Sequence, residues 1–554
     1  MGGWLQAAFI IVVVVALHIP LGDYMARVYT DSRHWRAEKM IYRLCGVDPR
    51  SDQRWPHYLA SLLAFSGTGV LLLYAVLRLQ PELPLSVGHS GLPPATAFNT
   101  AVSFTTNTSW QSYSGESAMG HFALAAGLGV EAFASAAVGM AAGLALTRGL
   151  IRHRTDRIGN FWVDLVRSVT RILLPLSLLS ALMFVALGVI QNFEDTEVTV
   201  TTLTGGRQRI LGGPVGSWEP IKLMSGDGGG FFNANSAHPF ENPTAVTNVI
   251  EIVLMLLIPV GFIRMFGRLV GDRRQGWTLL AVVGVLSVLA VVGAAAAENA
   301  HRGTVATAVG AATEGKETRF GVTGSAIFGV AATTTADGAA NSSYDSFTSL
   351  GGGVLMAGMM LGEVSPGGCG SGLYGLLMIS LVTVFLAGLM IGRTPEYLRK
   401  RIGAREVKLV VLYQLTTPAV VLIGSAVAIG SSNGRAAMGN PGAHGLSEVV
   451  YAFTSTANGN GSAFGGLNGD TTFFNVALAI AMLVGRYLPI IFVVALAGSL
   501  ARQQPGITTV GTLRSHGPAF TVMTIGVVLI VGGLTYLPSL SLGPLADGLH
   551  HMPG

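Results

Sequence analysis

Long apolar segments separated by short polar connections make up most of the chain. A run of about 20 apolar residues is the length that an α-helix needs to cross the hydrocarbon core of a bilayer. The pattern predicts an all-α polytopic membrane protein with ten transmembrane helices. The first run has neither a basic residue ahead of it nor a cleavage site of small residues, so we interpret it as a retained helix rather than a signal peptide. The ten runs lie near 4–21, 58–80, 120–146, 163–190, 248–270, 277–297, 352–392 (interrupted), 408–430, 471–500 and 519–537.

The basic residues alternate between successive connections. The connections after runs 1, 3, 5, 7 and 9 are rich in Arg and Lys, whereas the intervening ones are nearly free of them. By the positive-inside rule, the basic connections face the cytoplasm. Both termini and all of the intervening loops are then expected on the outer side. The basic connections are 27–54, 148–157, 264–274, 393–408 and 502–514.

The composition agrees with a membrane protein. Of 554 residues, 50% are hydrophobic and only 11% are charged, less than half the charged share of an ordinary soluble domain. The net charge of +5 does not indicate nucleic acid as a partner, because the basic residues lie in short connections between apolar runs. Cys45 and Cys369 are the only cysteines, too few and too far apart to predict a disulfide framework.

Four short polar loops recur at intervals of about 110 to 120 residues, and all fall in outer connections. Each follows a mildly apolar segment rich in Ser and Thr, at 97–106, 219–225, 326–335 and 447–456. Each then reads small, Asn or Asp, Gly or Thr, small. The loops are Thr106-Asn107-Thr108-Ser109, Gly226-Asp227-Gly228-Gly229-Gly230, Ala336-Asp337-Gly338-Ala339 and Ala457-Asn458-Gly459-Asn460.

Loops of this kind have two interpretations. Gly and Asn are common in surface turns, and for a single loop that interpretation is the more usual one. Gly and Asn also adopt backbone angles that point successive carbonyl groups the same way. Four such loops around one axis can replace the water shell of a cation, and a short helix ending at each adds its negative dipole end. Four loops in register within a membrane chain favour a single selectivity filter.

The repeat divides the chain into six units. Four of them have the order helix, short pore helix, filter loop, helix, and the first and last runs lie outside the repeat. Loops at membrane depth are tolerated where they line a wet cavity. The units are 1–57 (extra helix and basic loop), 58–161, 162–276, 277–406, 407–516 and 517–554 (extra C-terminal helix).

Two features inside the apolar runs carry further hypotheses. Run 7 is broken at 362–372, where Pro366 and several glycines exclude a continuous helix; the break is either an unwound gate beneath the filter or a plain loop between two helices. Two separate spans would be short and would move the basic connection at 393–408 to the wrong side, which favours the gate. Arg486 lies within run 9 and either sets an electrostatic barrier against cation leakage or extends to the lipid headgroups. Glu131 is a weaker candidate of the same kind.

Sequence motifs for catalysis are absent. No Gly-Lys-Ser/Thr follows the glycine-rich loop, and no Asp-Lys-Thr-Gly phosphorylation sequence occurs. The metalloprotease pattern His-Glu-x-x-His and the nucleophile elbow are also missing. The chain is therefore not expected to be an enzyme by itself.

Four motifs resemble a known family, the channel-like A subunit of the bacterial Kdp potassium-importing ATPase. The resemblance extends over essentially the whole chain. It implies four repeats around one potassium filter that receives the ion from outside and passes it to a P-type ATPase subunit, which hydrolyses ATP. Small subunits C and F, membrane lipids and the bacterial inner membrane complete the expected setting. The motifs are 110–116 (WQSYSGE), 233–244 (NANSAHPFENPT), 370–375 (GSGLYG) and 391–398 (IGRTPEYL).

The resemblance also implies site residues. Gln111 is expected just beyond the first loop, Gly368 and Gly370 in the gating loop, and Arg486 below the filter. The second loop departs from the family in having Asp227 where Asn is more usual; its carboxylate either faces the pore or accepts backbone amides behind the filter. The implied potassium filter comprises Thr106, Asn107, Thr108, Gly226, Asp227, Gly228, Gly229, Gly230, Asp337, Gly338, Ala339, Asn458, Gly459, Asn460 and Gly461.

Two alternatives to a pump subunit remain open at the level of sequence. A stand-alone potassium channel or an ion-coupled symporter of the potassium-transporter superfamily, to which the resemblance assigns the chain, needs no ATPase partner. A secondary transporter built on inverted repeats is a different class, and it is disfavoured because all four loops enter from one side. Copurification with an ATP-hydrolysing subunit separates the first alternative from the pump.

Overall fold

The chain is almost entirely helical, as predicted. The computed structural model describes residues 2–193, 200–201, 207–208, 211–300, 312–362, 364–506 and 514–550. Within these residues, ten helices are long and apolar enough to cross a membrane, which confirms the predicted class. Glu363, in the predicted interruption of run 7, lies outside the described residues.

The ten spans follow the predicted order. Two of them contain one turn of π-helix, at Ala123–Leu128 and Ser168–Leu173, and a third π turn, Ser541–Leu545, follows the last span. The α-helical parts of these spans are α1 (Gly2–Thr30), α3 (Trp55–Leu79), α6 (Gly129–Ile151), α7 and α8 (Phe161–Arg167 and Leu174–Ala186), α10 (Ala245–Leu269), α11 (Arg273–Asn299), α14 (Ser371–Met390), α15 (Ala404–Gly430), α18 (Thr472–Arg502) and α19 (Pro518–Leu540).

Shorter elements lie between the spans. Single 3₁₀ turns occur at Gln80–Glu82, Asn235–Ala237 and Tyr344–Ser346. Three two-stranded antiparallel ribbons pair Gln53–Arg54 with Arg157–Gly159, Val200–Thr201 with Arg207–Gln208, and Glu396–Tyr397 with Lys400–Arg401. The short helices are α2 (Arg36–Leu44), α4 (Pro94–Thr105), α5 (Gly115–Ala118), α9 (Val215–Ser225), α12 (Gly321–Thr334), α13 (Ser349–Met360), α16 (Ser432–Ala436), α17 (Gly442–Asn458) and α20 (Ala546–His550).

The first span is longer than the apolar run predicts. The run ends at residue 21, whereas α1 continues to Thr30. Its polar last turns are stabilised by tertiary contacts, because Asp23 pairs with Arg264 of α10 at 2.9 Å. Periodicity alone shows only the part of a helix that is apolar on all sides.

Small residues allow the spans to approach closely. A β-carbon on Gly22 of α1 would lie 2.6 Å from the carbonyl oxygen of Gly261 on α10. A β-carbon on Gly149 of α6 would lie 2.6 Å from the Cα of Ala497 on α18. Helix association in lipid relies on such close backbone packing, since lipid chains are as apolar as leucine.

The connections between the spans contact one another in two groups, which define two opposite ends of the molecule. At one end the basic connections meet: Gln53 pairs with Gly159, and Lys400 donates to the Arg152 carbonyl at 2.6 Å. At the other end lie the connections that contain the four polar loops. Both described chain ends lie there too, because Gly3 packs against Thr323 and Asp547 contacts His444.

Candidate functional site

Four short helices end at the four polar loops. Their last residues are Thr105 (α4), Ser225 (α9), Thr334 (α12) and Asn458 (α17). The C-terminal end of a helix carries a partial negative charge from its unpaired carbonyls. Four such ends therefore direct a negative potential at the loops.

The loops contact one another in a closed order, and we call residues 106–109, 226–230, 336–339 and 459–461 the four-loop ring. Loop 1 meets loop 2 where Asn107 Nδ2 donates to the Gly226 carbonyl at 2.6 Å. A β-carbon on Gly228 would collide with the Asp337 carbonyl, so loop 2 meets loop 3.

The order closes through loop 4. A β-carbon on Gly338 would collide with the Asn460 carbonyl, and one on Gly461 would collide with the Thr108 carbonyl. Glycine is thus required at three of the four junctions, because a neighbouring carbonyl occupies the position of a side chain.

The backbone of every loop follows the same pattern. Each loop has two residues with left-handed φ angles, separated by one, and loop 2 has a third, Gly229 (φ 77°). A left-handed residue at every second position allows successive carbonyls to point to one side of the chain, as a cation-binding loop requires. The pairs are Asn107 and Ser109 (φ 60° and 51°), Gly226 and Gly228 (59° and 77°), Ala336 and Gly338 (59° and 72°), and Gly459 and Gly461 (76° and 98°).

This pattern corrects the alignment of the loops. The sequence aligned Asn107 and Asn458 with Asp227 and Asp337, but the φ angles align Thr108 and Asn460 with the two aspartates. Asn458 is the last residue of α17, and its Nδ2 donates to the Thr454 carbonyl at 2.8 Å within that helix. The predicted filter residue Asn458 is therefore at the end of α17 rather than in the ring.

The ring also includes two residues that the sequence-based set leaves out. Ser109 and Ala336 occupy left-handed positions equivalent to Gly461 and Gly226. The signal that identifies them is the spacing of two between small residues. Ser and Ala rarely adopt positive φ angles, so a sequence pattern indicates Asn and Gly at such positions before Ser and Ala.

The central position of each loop carries a polar side chain that is almost fully buried. Thr108 Oγ1 lies 2.8 Å from Thr106 Oγ1, and Asn460 Nδ2 donates to the Ala332 carbonyl of α12 at 2.9 Å. The other two central residues are Asp227 and Asp337, and all four are 0% exposed. The ring thus holds two carboxylates and two neutral side chains at equivalent positions.

The side chain of Asp227 does not adopt one of the two arrangements that the sequence left open. Neither carboxylate oxygen accepts a hydrogen bond from the described residues, so the carboxylate does not bind backbone amides behind the loop. Asp337, in contrast, accepts the amide of Ala339 at 3.3 Å through Oδ1. An uncompensated buried carboxylate is costly unless a cation lies nearby.

Gln111 connects two loops at the outer face of the ring. Its Oε1 accepts the Gly230 amide at 2.8 Å, and its Nε2 donates to the Gly230 carbonyl at 3.3 Å. Above it opens a vestibule of about 990 Å³ lined by residues of all four loops, including Ser109, Gly229, Gly338 and Gly461. The ring is therefore reached from the end that carries the chain termini.

The break in run 7 lies directly against the opposite face of the ring. Gly367 N donates to the Thr334 carbonyl at 2.8 Å, and Cys369 Sγ donates to the Met224 carbonyl at 3.3 Å. A β-carbon on Gly368 would lie 2.9 Å from the Ala336 Cβ, and one on Gly370 would collide with the Gly139 carbonyl. The break is thus a packed segment between two helices, in contact with loops 2 and 3.

Arg486 is buried below the ring, with 8% of its surface exposed. Its Nη2 donates to the Ser135 carbonyl of α6 at 3.1 Å, and no carboxylate among the described residues lies within ion-pair distance of it. Arg486 borders a cavity of about 80 Å³ together with Asn458, Gly362 and Gln414; its role as a barrier stays a prediction. Glu131 lies on α6 facing Gly69 of α3 and is not part of the ring.

Comparison with known proteins gives one consistent result. Residues 8–549 match the family model described as Potassium-transporting ATPase A subunit (KdpA). The chain is 53% identical over 582 residues to a protein of Frankia alni, with 99% of both chains covered. It is 55% identical over 545 residues to one of Mycolicibacterium smegmatis, with 98% of both covered, and 53% identical over 549 residues to one of Streptomyces coelicolor, with 99% of both covered. Each of these relatives is named as the potassium-binding subunit of a potassium-transporting ATPase. The chain, with its ten spans and four-loop ring, therefore belongs to the family of potassium-transporting ATPase A subunits.

Proposed function

We propose that the chain is the potassium-binding and translocating subunit of an ATP-driven potassium uptake pump. The observation that carries this proposal is the closed four-loop ring, at which four helix C-termini end. Potassium is large and loses its water shell more readily than smaller cations, so a ring of backbone carbonyls suits it. The names of the relatives support the same ion.

The chain performs no hydrolysis itself. ATP acts only through a partner, a P-type ATPase catalytic subunit, with the small subunits C and F in the same complex. The complex lies in the bacterial inner membrane, with both termini and the vestibule outside. This arrangement is supported by the Arg- and Lys-rich connections at the opposite end of the molecule.

The ion enters from the vestibule, binds in the ring and leaves past the break in run 7. Segment 364–370 acts as the gate, because it contacts loops 2 and 3 from below. Arg486 places a positive charge in the cavity under the ring and repels cations that are not being pumped. Binding in the ring must therefore be followed by movement of this segment.

The test is ATP hydrolysis by the complex that copurifies with the chain, titrated with potassium and with sodium. Potassium should stimulate hydrolysis and sodium should not. The Gly228→Ala variant should raise the half-saturating potassium concentration by about tenfold or more, because the new β-carbon displaces the Asp337 carbonyl. The matched control is Gly284→Ala in α11, where a β-carbon meets nothing within 4 Å.

Three results would contradict the proposal. Equal stimulation by potassium and sodium would remove the ion assignment, and an unchanged potassium dependence in Gly228→Ala would remove the ring as the binding site. A chain that copurifies with no ATPase and conducts potassium alone in vesicles would indicate a channel in place of a pump subunit.

A further inference from the structure

A buried lysine lies beside the second loop of the ring. Lys222, in the last turn of α9, is 0% exposed. Its Nζ lies 2.8 Å from Asn235 Oδ1, 3.0 Å from Ser236 Oγ, 3.0 Å from Glu219 Oε1 and 3.1 Å from Glu241 Oε2. A fully buried ammonium group is tolerated only with such a set of partners. We call these five residues the Lys222 cluster.

The main chain of the same lysine holds the start of the loop. Its carbonyl accepts the amide of Gly226, the residue that follows α9. It also accepts the amides of Asp227 and Gly228, each at 3.2 Å. Lys222 therefore bonds the loop through its backbone and the segment that follows the loop through its side chain.

The partners of Lys222 extend the connection to the rest of the ring. Asn235 Oδ1 also accepts the amide of Ala340, directly after loop 3, at 3.4 Å. Glu241 Oε1 accepts the amide of Phe232 at 2.6 Å. The Lys222 cluster thus determines where loop 2 leaves the ring and how loop 3 lies beside it.

The charges in this region make the lysine hard to replace. Glu219, Glu241 and Glu251 are all 0% exposed, and Glu251 accepts no hydrogen bond from the described residues. Lys222 Nζ contacts two of these three carboxylates directly. Removing the only ammonium group from such a cluster leaves buried negative charges uncompensated, and the surrounding segments must then rearrange.

We propose that Lys222 is a positioning residue that sets the ion selectivity of the ring by fixing loop 2 against loop 3. The inference rests on the proposed function, since it presupposes that the ring binds potassium. Discrimination among potassium, rubidium and sodium depends on the positions and number of the coordinating carbonyls. A residue that holds two loops in place therefore controls it without contacting the ion.

The experiment compares the wild-type complex with a complex that carries Lys222→Met, a change that removes the charge and keeps most of the side-chain length. ATP hydrolysis is titrated with potassium, rubidium and sodium. We expect the half-saturating potassium concentration to rise about tenfold or more. The ratio of the half-saturating rubidium concentration to the half-saturating potassium concentration should change as well. The maximal rate of hydrolysis should stay within about twofold of wild type. A general structural defect would lower the maximal rate and leave that ratio unchanged.

The matched control is Lys400→Met. Lys400 is also buried, at 1% exposure, and donates to the carbonyls of Arg152, Leu500 and Gln503 at the other end of the molecule. We expect this variant to lose thermal stability and to keep the potassium half-saturation and the ion ratios of wild type.

A second variant decides the matter if Lys222→Met does not assemble. Asn235→Ala removes one acceptor of Lys222 and the acceptor of the Ala340 amide, and it leaves all charges in place. It should shift potassium half-saturation in the same direction by a smaller factor. Wild-type ion dependence in whichever variant assembles would overturn the inference. A wild-type complex without potassium stimulation would instead overturn the proposed function.

Discussion

At the residue scale, the ring is unusual in having two carboxylates among its four central side chains. Asp227 and Asp337 are both 0% exposed, and Asp227 accepts no hydrogen bond from the described residues. The equivalent residues, Thr108 and Asn460, are neutral. A buried negative charge beside a cation site adds attraction for any monovalent cation, whereas the carbonyl geometry decides which cation fits.

Replacing Asp227 by Asn separates these two effects. The half-saturating potassium concentration should rise about three- to tenfold, because one charge near the ion is lost. The preference for potassium over sodium should stay, because no backbone group changes. Titration of ATP hydrolysis with both ions measures the two quantities together. A loss of preference would show that the Asp227 carboxylate shapes the loop itself.

His444 joins three parts of the chain at the vestibule end. Its Nε2 lies 3.0 Å from Asp345 Oδ1, and its Nδ1 lies 3.3 Å from Asp547 Oδ2. His444, Asp345 and Glu448 lie close enough to one another to hold a metal ion, but both imidazole nitrogens already face carboxylates. The hydrogen bond with Asp345, followed by the bond and charge of Asp547, raises the pKa of His444 to about 9. A protonated imidazole that donates to both carboxylates fits this geometry.

The pH dependence of stability tests this pairing. The pKa of His444 is raised from 6.5 in the folded chain, so its stabilisation is complete below about pH 6.5 and is lost as the pH rises through about 9. Thermal unfolding of the complex should show His444→Gln less stable than wild type at pH 6, with the difference shrinking toward pH 10. An equal difference at both pH values would mean that the imidazole of His444 packs there without a charge.

At the element scale, the sequence predicts the spans better than the loops. Ten apolar runs suffice for ten spans, because lipid requires every spanning helix to be apolar over a minimum length. Each short helix before a loop begins several residues ahead of the predicted segment; α4, for example, begins at Pro94 rather than at residue 97. The register of the loops depends on where these helices end, and Asn458 shows that a polar residue can still be helical.

Contacts between loops could not be predicted at all. The Lys222 cluster joins residues up to 22 positions apart (219 to 241), and Gln111 reaches Gly230 across 119 positions. A lysine in a short apolar segment was visible in the sequence, but its partners depend on how the helices and loops pack. The break in run 7 was visible from Pro366, whereas its position against loops 2 and 3 was not.

The proposed role of Arg486 in the cavity below the ring leads to a prediction. The Arg486→Gln variant should allow potassium or rubidium to leak through reconstituted complexes without ATP, because the positive charge in the cavity is lost. Arg486→Lys, which keeps the charge, is the control and should remain tight. The measurement is passive rubidium uptake into vesicles, and tight vesicles with Arg486→Gln would mean that the arginine only supports helix packing.

At the scale of the whole molecule, the distribution of Arg and Lys predicts which end faces the cytoplasm. Chemical labelling of Cys45 tests this orientation. This cysteine is exposed in the basic connection after α1, whereas Cys369 is buried. A membrane-impermeant maleimide should therefore label the chain in inverted vesicles and not in intact cells. Ser117→Cys in a Cys45→Ser background, at an exposed position near the vestibule, should give the opposite result. Labelling of Cys45 from outside would reverse the proposed orientation.

The ring is made by one polypeptide, and this has a consequence for its chemistry. A channel assembled from four identical subunits changes all quarters of its pore with each mutation. Here Thr108, Asp227, Asp337 and Asn460 occupy equivalent places but are encoded separately. One substitution therefore alters a single quarter, so the charge around the ion can be adjusted in steps of one. Such a chain can evolve its ion affinity gradually, along a series of intermediates that a symmetric pore does not have.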